Sequence, residues 1–263
     1  MNSNLLLVSS LQKTTNSTSN TDFKLTYENQ NNLAETTAIA LKSALIPNVF
    51  YNVRAFGNGK HNNVFRYNVI GVGSYTVEIP EGNYTITQLL DALMAVTTAI
   101  GLNAVYSAET GKIFFTTSSP IQFLNEESSN LMARILGILE SSSSTVGVTE
   151  YQATGIIDLS GIKEVFVVSQ DLTNSTSMNI AGEGTKKSGS AAILAHIPIR
   201  VAYGYTEHYQ SNDENLDLIE YPSQRSGSSL RTLDVKIVDK YGFTLDLKGH
   251  DCTFILKVYH NSA

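Results

Sequence analysis

Five histidines, one cysteine and a scatter of carboxylates are the residues of this chain that could do acid–base, nucleophilic or metal chemistry. The histidines are His61, His196, His208, His250 and His260. A zinc-protease helix needs two of them four apart with a glutamate between, and a cupin-type metal site needs two at strand spacing; neither pattern occurs. His250-Asp251-Cys252 sets a base near a thiol, as a nucleophilic cysteine requires. Adjacent strand residues face opposite ways, however, so the expectation is a buried Cys252 beside a turn. The run GEGTKKSG at 182–189 looks like a phosphate loop, but it lacks the G-x-x-x-x-G-K-[ST] spacing and a strand leading into it. Asp213, Glu214, Asp217 and Glu220 could gather a hard cation. Without the sixth-position glycine and closing glutamate of an EF-hand loop, they read as a solvated loop. Glu81, Glu126, Glu164 and Glu207 are carboxylates of the kind a glycosidase pairs across a cleft, yet no spacing nominates two of them. No catalytic, cofactor-binding or metal-binding residue emerges, and the expectation is a protein that is not an enzyme and carries no cofactor.

Composition points the same way. Only 16% of the 263 residues are charged, and Ser, Thr and Asn fill the gap in stretches such as TTNSTSNT and DLTNSTSMN. A surface made polar by hydroxyls and amides suits packing against neighbours, because few long charged side chains must be desolvated and ordered there. The net charge is −6 and the basic residues form no block, so direct nucleic-acid binding is not expected. A lone Cys252 excludes an intrachain disulfide and a cysteine-based zinc site. The apolar run at 5–8 is too short for a signal segment and follows no basic residue. No apolar stretch reaches about 18 residues, so no membrane span is expected.

The elements that would position these residues are mostly strands. Residues 1–21 read as a flexible N-terminal arm, small and polar after Leu11. Residues 22–28, 36–45, 65–70 and 74–79 carry strand patterns. The character changes at Pro80. Thr85 and Gln88 form a capping box, Ile86, Leu89, Leu90 and Leu93 recur at helical spacing, and Gly101 sits where a left-handed cap belongs. A hairpin over 104–116 and a second helix over 127–136 follow. Strand character returns at 156–159, 163–168, 192–199, 201–205, 230–238 and 252–259, with a long polar loop at 171–190. Strands this numerous, with uneven connections, fit a Greek-key sandwich better than an up-and-down barrel. The expected organisation is a mainly β chain: an arm at 1–21, a single jelly roll over 22–79 and 146–263, and an inserted helix–hairpin–helix subdomain at 80–145.

Three stretches resemble a known family. LKSALIPNVFYNV at 41–53, VEIPEGNYTITQLLDAL at 77–93 followed by TGKIFF and ARILGI, and LRTLDVKIVDKYGFTLDLKGHDCTFILKVYH at 230–260 are similar to penton proteins of virophages and Polinton-like viruses. The resemblance implies a single jelly roll that forms a homopentamer at the fivefold vertices of an icosahedral virion, assembled in the infected cell's cytoplasm. It implies contact with the major capsid protein, and no enzyme activity or cofactor. The competing expectation is a carbohydrate-binding or host-attachment jelly roll, with tyrosines of YGYTEHY at 203–209 stacking on sugars. The absence of tryptophan counts against it.

Overall fold

A computed structural model describes residues 2–13, 19–26, 36–55, 62–124, 131–139, 148–170, 172, 177–180, 189–211, 219–220 and 232–260. The chain divides into two compact units, residues 1–50 with 162–263 and residues 51–161.

The first unit holds two antiparallel sheets. Its strands are β1 (Asn2–Ser9), β2 (Asp22–Thr26) and β3 (Thr36–Pro47), all before the inserted unit. The second unit, described below, contributes β4 (Val64–Val69), β5 (Gly73–Glu78), β6 (Asn103–Ser107), β7 (Lys112–Phe123) and β8 (Val148–Gln152). The first unit then resumes with β9 (Glu164–Ser169), β10 (Ser177–Ile180), β11 (Gly189–Pro198), β12 (Thr206–Gln210), β13 (Ile219–Glu220), β14 (Thr232–Val238) and β15 (Thr253–His260). Sheet one runs β1-β15-β3-β12, with β13 also on β3, and sheet two runs β10-β11-β9-β14-β2. The pairings nest. β9 pairs with β11, β3 with β12, β2 with β14 and β1 with β15, as if one long hairpin had been rolled up. That nesting is the topology of a jelly roll.

Period-two alternation drives the rolling. Phe23 and Leu25 of β2, Val165 and Val167 of β9, and Leu233, Val235 and Ile237 of β14 point inward from sheet two. They meet Val8, Ile39, Leu41, Phe254, Leu256 and Val258 from sheet one in a single buried core. Phe23 and Phe254 stack across it with ring centroids 6.5 Å apart.

Residues 2–9 are therefore a strand and not an arm. β1 keeps an unbroken register with β15 from Asn2 opposite His260 to Ser9 opposite Thr253. Val8 is fully buried and Leu6 packs against the core. The apolar run Leu5–Leu6–Leu7–Val8 masks the alternation, because both faces of the strand carry leucine.

In the second unit the sheet order is β5-β4-β7-β6, with β8 on β7. Helices α1 (Ile86–Val96) and α2 (Leu131–Ile135) accompany it, α1 packing on β6 and α2 on β4. The capping box at the start of α1 is present, with Thr85 accepting from the Gln88 amide and Gln88 accepting from the Thr85 amide. Leu89, Leu90 and Leu93 join Phe65, Tyr67, Phe115 and Phe123 in a separate core. The strands at 64–69 and 73–78, expected in the jelly roll, belong here instead, since β4 pairs with β5 and β7. Alternation marks a strand as half-buried but does not say which sheet receives it. The expected strands at 156–159 and 201–205 are irregular, and the neighbouring segments Val148–Gln152 and Thr206–Gln210 pair in their place.

Where the chain enters and leaves this unit, buried Asn52 holds both ends. Its Nδ2 donates to the carbonyls of Tyr84 (2.8 Å) and Leu159 (3.3 Å), and its Oδ1 accepts from the Tyr84 amide at 2.9 Å. Asn52→Ala is expected to destabilise the second unit by about 2 kcal/mol, because backbone groups inside the fold lose their partners. A midpoint shift in urea unfolding checks this; Asn52→Asp should be at least as costly, because a buried carboxylate oxygen would face the Tyr84 and Leu159 carbonyls.

Candidate assembly surface

Several of the described residues with chemical potential are spent on structure. Cys252 is buried in the jelly-roll core, and its thiol donates to the Asn20 carbonyl at 3.3 Å. Burial pushes the thiol up to about 12, with Asp251 also raising it and a Ser10 hydrogen bond opposing. His250 is exposed and shares no contact with the sulfur, so the tripeptide 250–252 is no nucleophile with its base. Instead it anchors the end of β1. The Ser10 amide donates to the Cys252 carbonyl at 3.1 Å, and the Cys252 amide donates to Ser10 Oγ at 3.1 Å. Ser10 Oγ donates to Asp251 at 2.8 Å, and Asn20 Nδ2 donates to the His250 carbonyl and to Asp251.

Two consequences can be measured. Native protein at pH 8 should resist a thiol-specific reagent, which should react at once after denaturation. The folded pKa lies above the unfolded one, so this stabilising contribution is intact below about pH 9. It should then fade as pH rises toward about 12, since only the unfolded chain releases the proton in that window. Labelling of Cys252 in the folded state at pH 8 would contradict both.

The carboxylates are equally occupied. Glu207 is buried and accepts from the Arg200 and Val201 amides at 2.7 and 3.2 Å, which fixes the β11–β12 connection. Glu164 meets His196 Nε2 at 2.7 Å on the outer side of sheet two, where Phe166 stacks on the imidazole with centroids 4.9 Å apart. Glu81 accepts from the Ala55 amide in the second unit. Buried Asp234, which sequence reading passes over, takes the Ser169 hydroxyl at 2.7 Å and the Gln170 amide, tying β9 to β14. Its only sequence signal is an acid set between two inward-facing apolar residues of an alternating strand. Among the described residues no three His, Cys, Asp or Glu side chains gather as metal ligands. His61, Glu126, Asp213, Glu214, Asp217 and the phosphate-loop-like residues 182–188 lie outside the described residues. No described helix is long and apolar enough to cross a membrane.

What the first unit does offer is surface. On the outer side of sheet one, Leu5 and Leu7 are 67% and 57% exposed. Leu7 lies opposite half-buried Ile255, which pairs on its other side with Ser43. Two residues along β3, exposed Leu45 sits between Thr253 and His208. Lys42 and Lys257 join this band with Ser43 and Thr253, so the face sets exposed leucines among polar side chains and carries no acidic group among the described residues of β1, β3 and β15. Tyr203 and Tyr205 are exposed in the β11–β12 connection, while Tyr209 packs against the core. The sequence stretch at 203–209 is thus only partly available for stacking on a ligand.

No protein-family model matches the chain, and no curated protein matches it. Among solved structures it is similar to the selenomethionine-labelled penton protein of mavirus, at 9% identity and a TM-score of 0.51, over 99% of this chain and 100% of that one. It is also similar to a chain in the cryo-EM structure of the Sputnik virophage, at 12% identity and a TM-score of 0.47, over 98% of each. The likeness to the mavirus protein shows a common fold, a mainly β, antiparallel jelly-roll sandwich. The chain thus resembles a virophage penton protein in backbone as well as in its sequence motifs.

Proposed function

We propose that this chain is a minor capsid protein of an icosahedral, virophage-like virion, in which five copies close a ring at each vertex and seat against the major capsid protein. The observation that carries the reading is mutual coverage: likeness to a penton protein spans 99% of this chain and 100% of that one. Chemistry agrees. Cys252, Glu81, Glu164 and Glu207 are engaged in holding the fold, and the first unit presents exposed leucines on the outer side of sheet one. Five copies about an axis use a heterologous contact repeated five times. Each contact can be weak, because ring closure and the surrounding capsomers add avidity. The role is structural and not enzymatic, located in the virion and assembled in the cytoplasm of the infected cell.

Sedimentation and electron microscopy of the purified chain, alone and mixed with the major capsid protein, test this. Five-membered rings are the expected result. A chain that stays monomeric at high concentration in both conditions would end the reading. Exposed Tyr203 and Tyr205 support a second reading, attachment to a host glycan; binding of an isolated monomer to a glycan array would favour it.

A further inference from the structure

Among the described residues, the hydrogen-bond parity of sheet one leaves both of its edges open. Ser10 donates its amide to the Cys252 carbonyl, and antiparallel ladders repeat every second residue. Val8, Leu6 and Asn4 therefore direct their backbone groups at β15, and Ser3, Leu5 and Leu7 direct theirs away from it. Among the described residues only β15 pairs with β1, and none donates to or accepts from the backbone of Ser3, Leu5 or Leu7. At the other edge, Ser211 donates to the Lys42 carbonyl and Asn48 to the Tyr205 carbonyl. Odd residues of β12 thus face β3, while Thr206, His208 and Gln210 face outward. Those three also have no backbone partner among the described residues.

Proteins usually blunt such edges with charge, proline or a bulge. β1 has none of these: its sequence NSNLLLVS is uncharged, lacks proline and keeps an unbroken register. We infer that the β1 edge of one copy pairs with the β12 edge of the next, so that sheet one continues from subunit to subunit. This rests on the ring reading above and names its contact.

Strand direction supports the match. Successive strands of β1-β15-β3-β12 are antiparallel, so β1 and β12 run in opposite senses. Rotation about an axis along the strands preserves those senses. The new ladder between β12 and the next β1 is then antiparallel, the more stable kind. It places Thr206, His208 and Gln210 beside Leu5 and Leu7 on the outer face. His208 meets no like charge, because β1 carries no ionisable side chain. The contact is head to tail and uses two different edges, as a closed ring requires. Self-pairing of β1 across a twofold axis would stop at two copies and leave β12 open.

Proline separates these possibilities, because at an outward-facing position it deletes a donor aimed at the neighbour and spares the internal ladder. Leu5→Pro and His208→Pro are each expected to dissociate rings of the full chain, raising the concentration for assembly at least tenfold. Protection of Cys252 from a thiol reagent reports that the fold survives. Should Leu5→Pro unfold, Ser3→Pro and the edge charge Leu5→Lys take its place. An equimolar mixture of the two proline variants is expected to give two-copy species and no rings. One intact β12 edge meets one intact β1 edge, and growth stops there. Rings that persist in folded variants overturn the edge pairing and leave the ring reading standing. Dissociation by Leu5→Pro with intact rings in His208→Pro also overturns it. A wild-type chain that forms no rings removes both.

Discussion

A chain lacking residues 1–9 is expected to lose most of its thermal stability. Without β1, β15 becomes an edge and the core is uncovered at Val8, a fully buried side chain, and at Leu6. Burying a valine and much of a leucine contributes roughly 3 kcal/mol. The ladder to β15 adds about 2 kcal/mol net. Their sum is comparable with the whole stability of a typical domain, about 5–15 kcal/mol. Calorimetry of the shortened chain should show a depressed or absent transition for the jelly roll. An unchanged transition would return these residues to the status of a dispensable arm.

The second large effect is expected at Phe123. Its ring is fully buried in the second unit, with centroids 5.7 Å from Phe65, 5.3 Å from Phe115 and 5.0 Å from Tyr151. Phe123→Ala leaves a cavity among three aromatic rings and should cost about 3–5 kcal/mol. Phe123→Leu fills more of the space and should cost less. Among the described residues no buried one belongs to both cores, so hydrogen exchange should accelerate in residues 51–161 first. Equal loss of protection over the jelly-roll strands would mean that the two cores unfold as one.

Where one face of an element is buried and the other wet, the sequence spells it out. β2 and β15 alternate cleanly, and α1 carries its cap residues at the spacing its first turn demands. Two kinds of information are not local. The first is the partner of a strand: β4 and β5 look like any half-buried pair, and their assignment depends on β7, whose Ile121 and Phe123 pair with Val69 and Tyr67 from far along the chain. The second is an apolar outer face, which turns the alternation of β1 into a plain run of leucines. The same leucines that obscure the strand are what make its surface a candidate for contact. The candidate surface was thus hidden for the same reason that it exists. For Cys252, Glu164 and Glu207, by contrast, spacing says nothing of their partners, and the structure supplies a structural use for each.

The nested pairing has a consequence for biosynthesis. Contacts such as Cys252 to Ser10 join residues 242 apart in sequence, so sheet one has a high contact order and its closure is slow. The hairpin of β9 and β11 can form early, and the roll then zips outward through β14 with β2. β15, lying between β1 and β3, completes it. Until β15 has been made, β1 has no neighbour in the sheet and is not held in register. A nascent chain that has not yet reached β15 therefore lacks the ordered β1 edge, and the proposed edge pairing would have to wait for that strand.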